Sequence, residues 1–325
     1  MTKRELKAYL TTLNAIRGRS RDLAVLSQVA INGNLVKATN LDVYGQLALD
    51  TSCGDGVYDP VVLKLIEEGA DAGLFDQYKT NTLDDFPRVV FANASENVRV
   101  LTDYDIDAII KASECVSDDP TRPALTHIAL YEGLICGTNG YIARSARQSD
   151  SLYPNGEISI LIPKMFATAL KRLRGCGGTW QIATTPDADE VMLTNGTFIL
   201  YGRVPDALYP DMRKLLQART TDKAYTFPLD RVLPMCKKDM CIKINRATGD
   251  VSIAEFRSSE WRATGIVAEI EDTKREHDTQ RQVIMPINDP TDIVVNASLL
   301  KRLTNGKTVS ILTEGNRRDM LDVVG

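Results

Sequence analysis

Two histidines, His127 and His277, are all the imidazole this 325-residue chain offers, so acid–base chemistry by histidine has few candidates. Six cysteines (Cys53, Cys115, Cys136, Cys176, Cys236 and Cys241) are spread over the whole length. That is no disulfide framework, and it fits a reducing compartment. Cys236 and Cys241 stand closest, as Cys-Lys-Lys-Asp-Met-Cys, but the spacing is loose and no histidine lies nearby to complete a zinc site. Gly175-Cys176-Gly177-Gly178 lacks the lysine and the spacing of a phosphate-cradling loop. No Gly-x-Ser-x-Gly or His-Glu-x-x-His occurs. The acidic pairs Glu67-Glu68, Asp84-Asp85 and Asp118-Asp119 read as turn residues or solvated charge. These residues lead to the expectation of a protein that is not an enzyme and holds neither cofactor nor metal.

Positive charge in particular places is the chemistry that remains. The net charge is −4, which by itself argues against a polyanionic partner. Its distribution argues otherwise. Counted as Lys and Arg minus Asp and Glu, the window Lys3 to Arg21 carries +5 and Pro163 to Arg174 carries +4. Pro228 to Lys238 carries +2 and Val295 to Lys307 +3, while Asp59 to Glu68 and Asp103 to Ser113 carry −2 each. The six windows total +10, leaving −14 on the rest of the chain. Basic residues near a helix C-terminus, such as Lys171 and Arg172, also complement the helix dipole. Four basic windows out of six, recurring through the chain, point instead to one shared partner that presents phosphates.

The elements that carry these residues come in copies. Ala24 to Val43 and Pro123 to Ile142 align without a gap at an offset of 99. Leu26/Leu125, Ala30/Ala129, Leu35/Leu134, Thr39/Thr138 and Asn40/Asn139 are identical, and four further pairs keep the apolar class. The spacing predicts a helix over Thr2 to Ile16, with Leu6, Tyr9, Leu10, Leu13 and Ile16 on one face. A hairpin at Asn32-Gly33-Asn34 follows, then a helix after Asp59-Pro60 that turns Val61, Val62, Leu65 and Ile66 inward. The second copy has a helix over Asp103 to Lys111 with Ile106, Ile109 and Ile110 inward. It continues with a strand over Ser159 to Ile162, a helix over Pro163 to Leu173 and a hairpin at Asn195-Gly196. The third is more diverged, with a short helix over Phe227 to Met235, a hairpin at Ala247 to Asp250, a strand over Ile293 to Val295 and a helix over Asn296 to Leu303. The fold class expected is α+β, in three repeated domains (residues 1–96, 97–217 and 218–325), each with two helices among antiparallel strands.

The repeat, its punctuation and its charge resemble the bacterial DNA polymerase III beta-subunit family, the DNA sliding clamps, over nearly the whole chain. Leu23-Ala24-Val25-Leu26-Ser27 is similar to the family's Leu-Pro-Ile-Leu-Ser/Gly, and Asp85-Phe86-Pro87 to the element that closes its first domain. Arg122 with Leu125, then Thr138-Asn139-Gly140, resemble its second-domain signatures, and Tyr209-Pro210-Asp211-Met212-Arg213 resembles Phe-Pro-Asp-Tyr-Arg. The resemblance implies a closed ring of two protomers, head to tail around double-stranded DNA, that slides without reading sequence. It implies DNA contacts at Arg19, Arg21, Lys171, Arg172, Arg174, Lys301 and Arg302. It also implies a pocket, at Leu125, Thr138, Gly140, Ala143, Pro210 and Leu215, that holds peptides of the DNA polymerase and the clamp loader.

The chain departs from the family at Ala143, where a leucine is usual, at Asn139 for Asp and at Tyr141 for His. Its end, Met320 to Gly325, lacks the family's proline. A pocket reshaped for another client peptide, in a phage or other mobile replicon, is the corresponding expectation. The competing one is a protein of this fold that binds partners without encircling DNA. With no apolar run of 18 residues and a charged start, the expected location is the cytoplasm, with no membrane partner.

Overall fold

Thr2 caps the first helix, α1 (Lys3–Ile16), by a reciprocal pair of hydrogen bonds: its hydroxyl accepts from Glu5 N at 3.3 Å and Glu5 Oε2 accepts from Thr2 N at 2.8 Å. The computed structural model describes residues 1–18, 23–88, 98–131, 133–140, 142–149, 152, 160–185 and 189–212. Beyond these it describes 223–228, 232–236, 240–245, 251–257, 260–268, 293–303, 308–313 and 322–324. Tyr9, Leu10, Leu13 and Ile16 bury the inner stripe of α1.

After a 3-10 turn at Ala24–Ser27 come β1 (Val29–Asn32), β2 (Leu35–Thr39), β3 (Val43–Ala48) and β4 (Asp55–Tyr58), then α2 (Val61–Glu68) and β5 (Lys79–Asn81). The second copy runs β6 (Arg99–Val100), α3 (Asp103–Ser113), a 3-10 turn at Pro123–Thr126, β7 (His127–Tyr131), β8 (Leu134–Thr138), β9 (Ala143–Arg147), β10 (Ile160–Pro163) and α4 (Lys164–Arg172). Then follow β11 (Gln181–Thr184), β12 (Glu190–Thr194) and β13 (Phe198–Arg203). The third holds β14 (Lys223–Pro228), β15 (Met240–Ile244), β16 (Val251–Arg257), β17 (Glu260–Ala268), β18 (Ile293–Asn296), α5 (Ala297–Leu303), β19 (Thr308–Thr313) and β20 (Asp322–Val324).

One motif recurs three times. The strands stand side by side as β4-β1-β2-β3, as β10-β7-β8-β9 and as β18-β15-β16-β17, each time with the fourth strand beside the first and each pair antiparallel. Each fourth strand runs on into a helix, α2, α4 or α5. The offset of 99 survives in three dimensions: β2 and β8, and the two 3-10 turns, have bounds that far apart. Thr102 and Asp105 repeat on α3 the reciprocal cap that Thr2 and Glu5 make on α1.

The chain divides into two compact units, Met1–Pro210 and Asp211–Gly325. The first two copies fall in one unit because β13 pairs with β3, Tyr201 opposite Tyr44, joining their strands into a sheet of nine. The expected boundaries after residues 96 and 217 lie outside the described residues.

Two expectations need correction. Phe227 and Pro228 are the end of strand β14, paired with Val309 and Thr308, and the helical turn comes later, at Leu233–Met235. β14 is the edge of its sheet, where a proline's missing N–H breaks no ladder. On α2, Val61 faces out at 46% exposure and Leu63 goes inward, because the face turned to the core is the one that Val62, Leu63 and Ile66 share. Asp59 accepts a hydrogen bond from Val61 N and helps to open the helix, as expected. The hairpin at Ala247 to Asp250 lies outside the described residues, though Ile244 and Val251 pair on either side of it.

Candidate nucleic-acid interface

Helix α4 places the densest group of cations. Phe166, Ala167, Ala169, Leu170 and Leu173 recur at helical spacing and are buried, so the opposite face carries Lys171 and Arg172 outward. In the first unit α1 lies between α2 and α4, and α4 between α1 and α3, a row of helices packed on strands.

Ion pairs sort the cations of this row. Arg174 lies 2.7 Å from Asp107 of α3, Lys7 3.0 Å from Glu67 of α2, and Lys164 2.7 Å from Asp118. Arg144 stands 3.6 Å from Glu114. Arg17 donates to the Ser27 carbonyl and to Asn14 Oδ1, fixing the chain after α1. Lys171 and Arg172 are exposed and have no carboxylate partner among the described residues, and the same is true of Lys3 and Arg4 in the first turn of α1. Exposed pairs contribute little stability, but each cancels a charge locally. Of the expected DNA contacts, Lys171 and Arg172 keep their charge available and Arg174 shares its own. Lys301 is exposed on α5, whose Ala297 and Leu300 are buried; Arg302 belongs to the same helix, and its side chain lies outside the described residues, as do Arg19 and Arg21 altogether. Lys3 and Arg4 were not singled out from the sequence; their signal was position off the apolar stripe of Leu6, Tyr9, Leu10 and Leu13, and both are exposed.

Polar contacts tie α1 to the loop after α4 and to the hairpin between β12 and β13. The Glu5 carboxylate accepts from Thr2 N, from the Thr2 hydroxyl and from Gly177 N at 2.9 Å, and these bonds hold its pKa down to about 2. Asn195 donates to the Tyr9 hydroxyl and to the Gly177 carbonyl. In the glycine loop 175–178, the Gly177 N–H is thus already given to a carboxylate of its own chain and is not open to a phosphate.

Of the six residues expected to hold a partner peptide, the five that are described lie around one turn. Leu125 lies in the 3-10 turn, Thr138 ends β8, and Ala143 opens β9 directly opposite Thr138. The Thr138 hydroxyl donates to Ile142 O at 2.6 Å and accepts from Gly140 N, and Asn139 Oδ1 accepts from Ile142 N. Gly140 has φ 88°, and a Cβ there would meet Arg122 Nη1 at 3.4 Å and Leu125 Cδ1 at 3.9 Å, so the bare turn leans on both. The Tyr209 hydroxyl is buried beside the Thr138 backbone, burial raising its pKa, and this brings Pro210 to the group. Leu208, next to Tyr209 in the chain, is 99% exposed, although an apolar side chain is ordinarily expected to bury. Leu215 and Tyr141 lie outside the described residues.

The first copy is a built-in comparison. Thr39 and Asn40 make the same turn by the same bonds, but Leu41 stands at the left-handed position (φ 77°) and Tyr44 opposite Thr39. Tyr44 is buried against Ala30, Val57 and Phe86, with its ring 5.9 Å from that of Tyr201. Ala143 and Gly140 carry no such bulk.

The remaining reactive groups are held in structure. His127 Nδ1 lies 2.9 Å from the Pro123 carbonyl, and burial lowers its pKa. Burial pushes the Cys241 thiol up to about 11. His277 lies outside the described residues. Among the described residues no three His, Cys, Asp or Glu side chains gather as a metal site, and no helix is long and apolar enough to cross a membrane.

No protein-family model and no curated protein sequence matches this chain. Solved structures do. The DNA polymerase III beta subunit of Thermotoga maritima is 14% identical, with a TM-score of 0.68 over 100% of this chain and 97% of that one. The subunit from Borrelia burgdorferi, solved with a natural product, is 11% identical at a TM-score of 0.70, covering 100% and 94%. A sliding clamp from Pseudomonas aeruginosa, bound to griselimycin, is 17% identical at 0.65, covering 98% and 95%. The chain has the α+β fold of the DNA polymerase III beta-subunit sliding clamps, from end to end.

Proposed function

We propose that this chain is a DNA sliding clamp: two copies close head to tail into a ring around duplex DNA and tether a replicative polymerase. The observation that carries the reading is the pair of uncancelled cations, Lys171 and Arg172, on the outward face of a helix row in a full-length clamp fold. A sliding tether must attract phosphates without reading bases. Cations on rigid helices, with no groove-entering element, suit that task. In this reading the domains are residues 1–96, 97–217 and 218–325, and Arg19, Arg21, Arg174, Lys301 and Arg302 join the DNA-facing set.

The turn at Thr138 to Gly140, with Leu125, Ala143, Pro210 and Leu215, takes the anchoring side chains of a peptide from the polymerase or the clamp loader. The contrast between the copies supports this: Tyr44 and Leu41 occupy in the first what Ala143 and Gly140 leave bare in the second. Exposed Leu208 adds an apolar group beside Pro210.

Charge reversal tests the DNA face. Lys171→Glu with Arg172→Glu is expected to cut retention on circular DNA about tenfold or more, and to flatten the salt dependence by roughly two phosphate contacts. Retention and slope like those of the unaltered protein would refute these two contacts.

A further inference from the structure

Between α3 and α4 lies a cleft of about 360 Å3, lined by Ile110, Ser113 and Glu114 on one side and by Ala167, Thr168, Lys171 and Arg172 on the other. We propose that this cleft seats one sugar-phosphate unit of the nucleic-acid backbone, so that the duplex meets the protein at a notch and not only across a smooth basic face. The inference rests on the DNA-clamp reading and goes a step further, to one site with one ligand chemistry.

Its make-up argues for that ligand. The volume falls at the lower end of the ~300–1,000 Å3 of small-ligand sites, room for more than a lone anion. Ala167 is buried and Ile110 packs against the core, giving an apolar floor that suits a deoxyribose ring. The two uncancelled cations, Lys171 and Arg172, give a rim that suits phosphate oxygens, while the Ser113 and Thr168 hydroxyls donate to the Ile110 and Lys164 carbonyls of their own helices and only shape the walls. The one acid at the rim, Glu114, is faced by Arg144 at 3.6 Å, which offsets its repulsion of a phosphate. Arg174 and Lys164, the other cations at the two ends of α4, are tied to Asp107 and Asp118. The free charge of this helix is thus gathered at the cleft.

A substitution that fills the cleft without changing charge separates a seat from general attraction. Binding of a fluorescein-labelled short duplex at low salt is measured by anisotropy for the unaltered chain, for T168W and for S113F, which fills the cleft from the other wall. Thermal melting checks each fold. K171A/R172A serves as the charge arm and K111A, an exposed lysine of α3 that does not line the cleft, as the control. T168W and S113F are expected to weaken binding several-fold, approaching the roughly tenfold loss of K171A/R172A, while K111A changes it little. Inorganic phosphate is expected to compete no better than chloride at equal ionic strength. Full binding by both cleft-filling variants, with K171A/R172A impaired, would overturn the notch and leave the clamp reading standing. Specific displacement of the duplex by inorganic phosphate would overturn the assignment to the backbone in favour of a free anion. An unaltered chain that binds no duplex at any salt would overturn the clamp reading and the notch together.

Discussion

Lys171, Arg172 and Arg174 fall within four positions, and the fold gives them different work. Asp107 reaches Arg174 from α3 at 2.7 Å, while Lys171 and Arg172 are left to solvent. Asp107→Asn, which frees Arg174 and removes a negative charge, is therefore expected to tighten duplex binding and to steepen its salt slope by about one contact. Binding titrations over a salt series check this, and an unchanged or flatter slope would contradict it. Glu5 makes a second prediction, through pH. Its folded-state pKa, about 2, lies below the ordinary value of 4.5, so its bonds to Thr2 and Gly177 stabilise the fold above pH 4.5. That contribution fades as pH falls from 4.5 toward 2. Glu5→Gln is expected to lower the melting temperature at neutral pH, with the gap to the unaltered protein closing across that window. A gap that persists at the acid end would assign the loss to something other than the carboxylate. The long-range part of this sorting was not legible in the sequence. Asp107 and Arg174 are far apart along the chain, as are Glu5 and Gly177, and only packing makes them neighbours.

At the scale of elements the sequence was more forthcoming. Local chemistry writes its own signature, and Thr2 with Glu5, Thr102 with Asp105, and the Thr-Asn turns at 39–40, 138–139 and 194–195 all close their bonds within five residues. Phe227 to Met235 misled because a proline and an apolar run fit a helix start and an edge strand equally. The choice is made by Val309 and Thr308, its partners from far along the chain. Close approach between elements is also silent in the sequence. A Cβ on Gly137 of β8 would sit 2.0 Å from the Ala112 carbonyl of α3, and neither backbone can yield. Gly137→Ala is expected to destabilise the protein by about 3 kcal/mol, at the upper end of overpacking costs. Gly33→Ala, at φ 60° in open space, costs only ~1–2 kcal/mol of left-handed strain. Denaturant midpoints of the two variants rank them, and equal midpoints would contradict the close contact.

For the whole molecule, repetition and difference divide the work. Three copies of one four-strand motif, each followed by a helix, account for the end-to-end likeness to sliding clamps at 11–18% identity. Such a fold tolerates sequence drift because each copy needs only its alternating apolar pattern and its turn residues. Charge and bulk then distinguish the copies: α4 is basic where its counterpart α2 is acidic, and Ala143 stands where its counterpart is Tyr44. The candidate interface could be read from the sequence as a statistical excess of charge on certain helices. Which cations are free, and the cleft beside them, came from the structure.

Retention on DNA of different topology tests the central claim most directly. The protein is loaded onto a closed or nicked circular duplex by its cognate loader, separated from free protein, and the circle is then cut once. A ring that encircles DNA stays bound to the circle at a salt concentration that abolishes ordinary binding, and it runs off after linearisation. Equal retention on circular and linear DNA, or retention on neither, would contradict encirclement and leave a protein of clamp fold with another task.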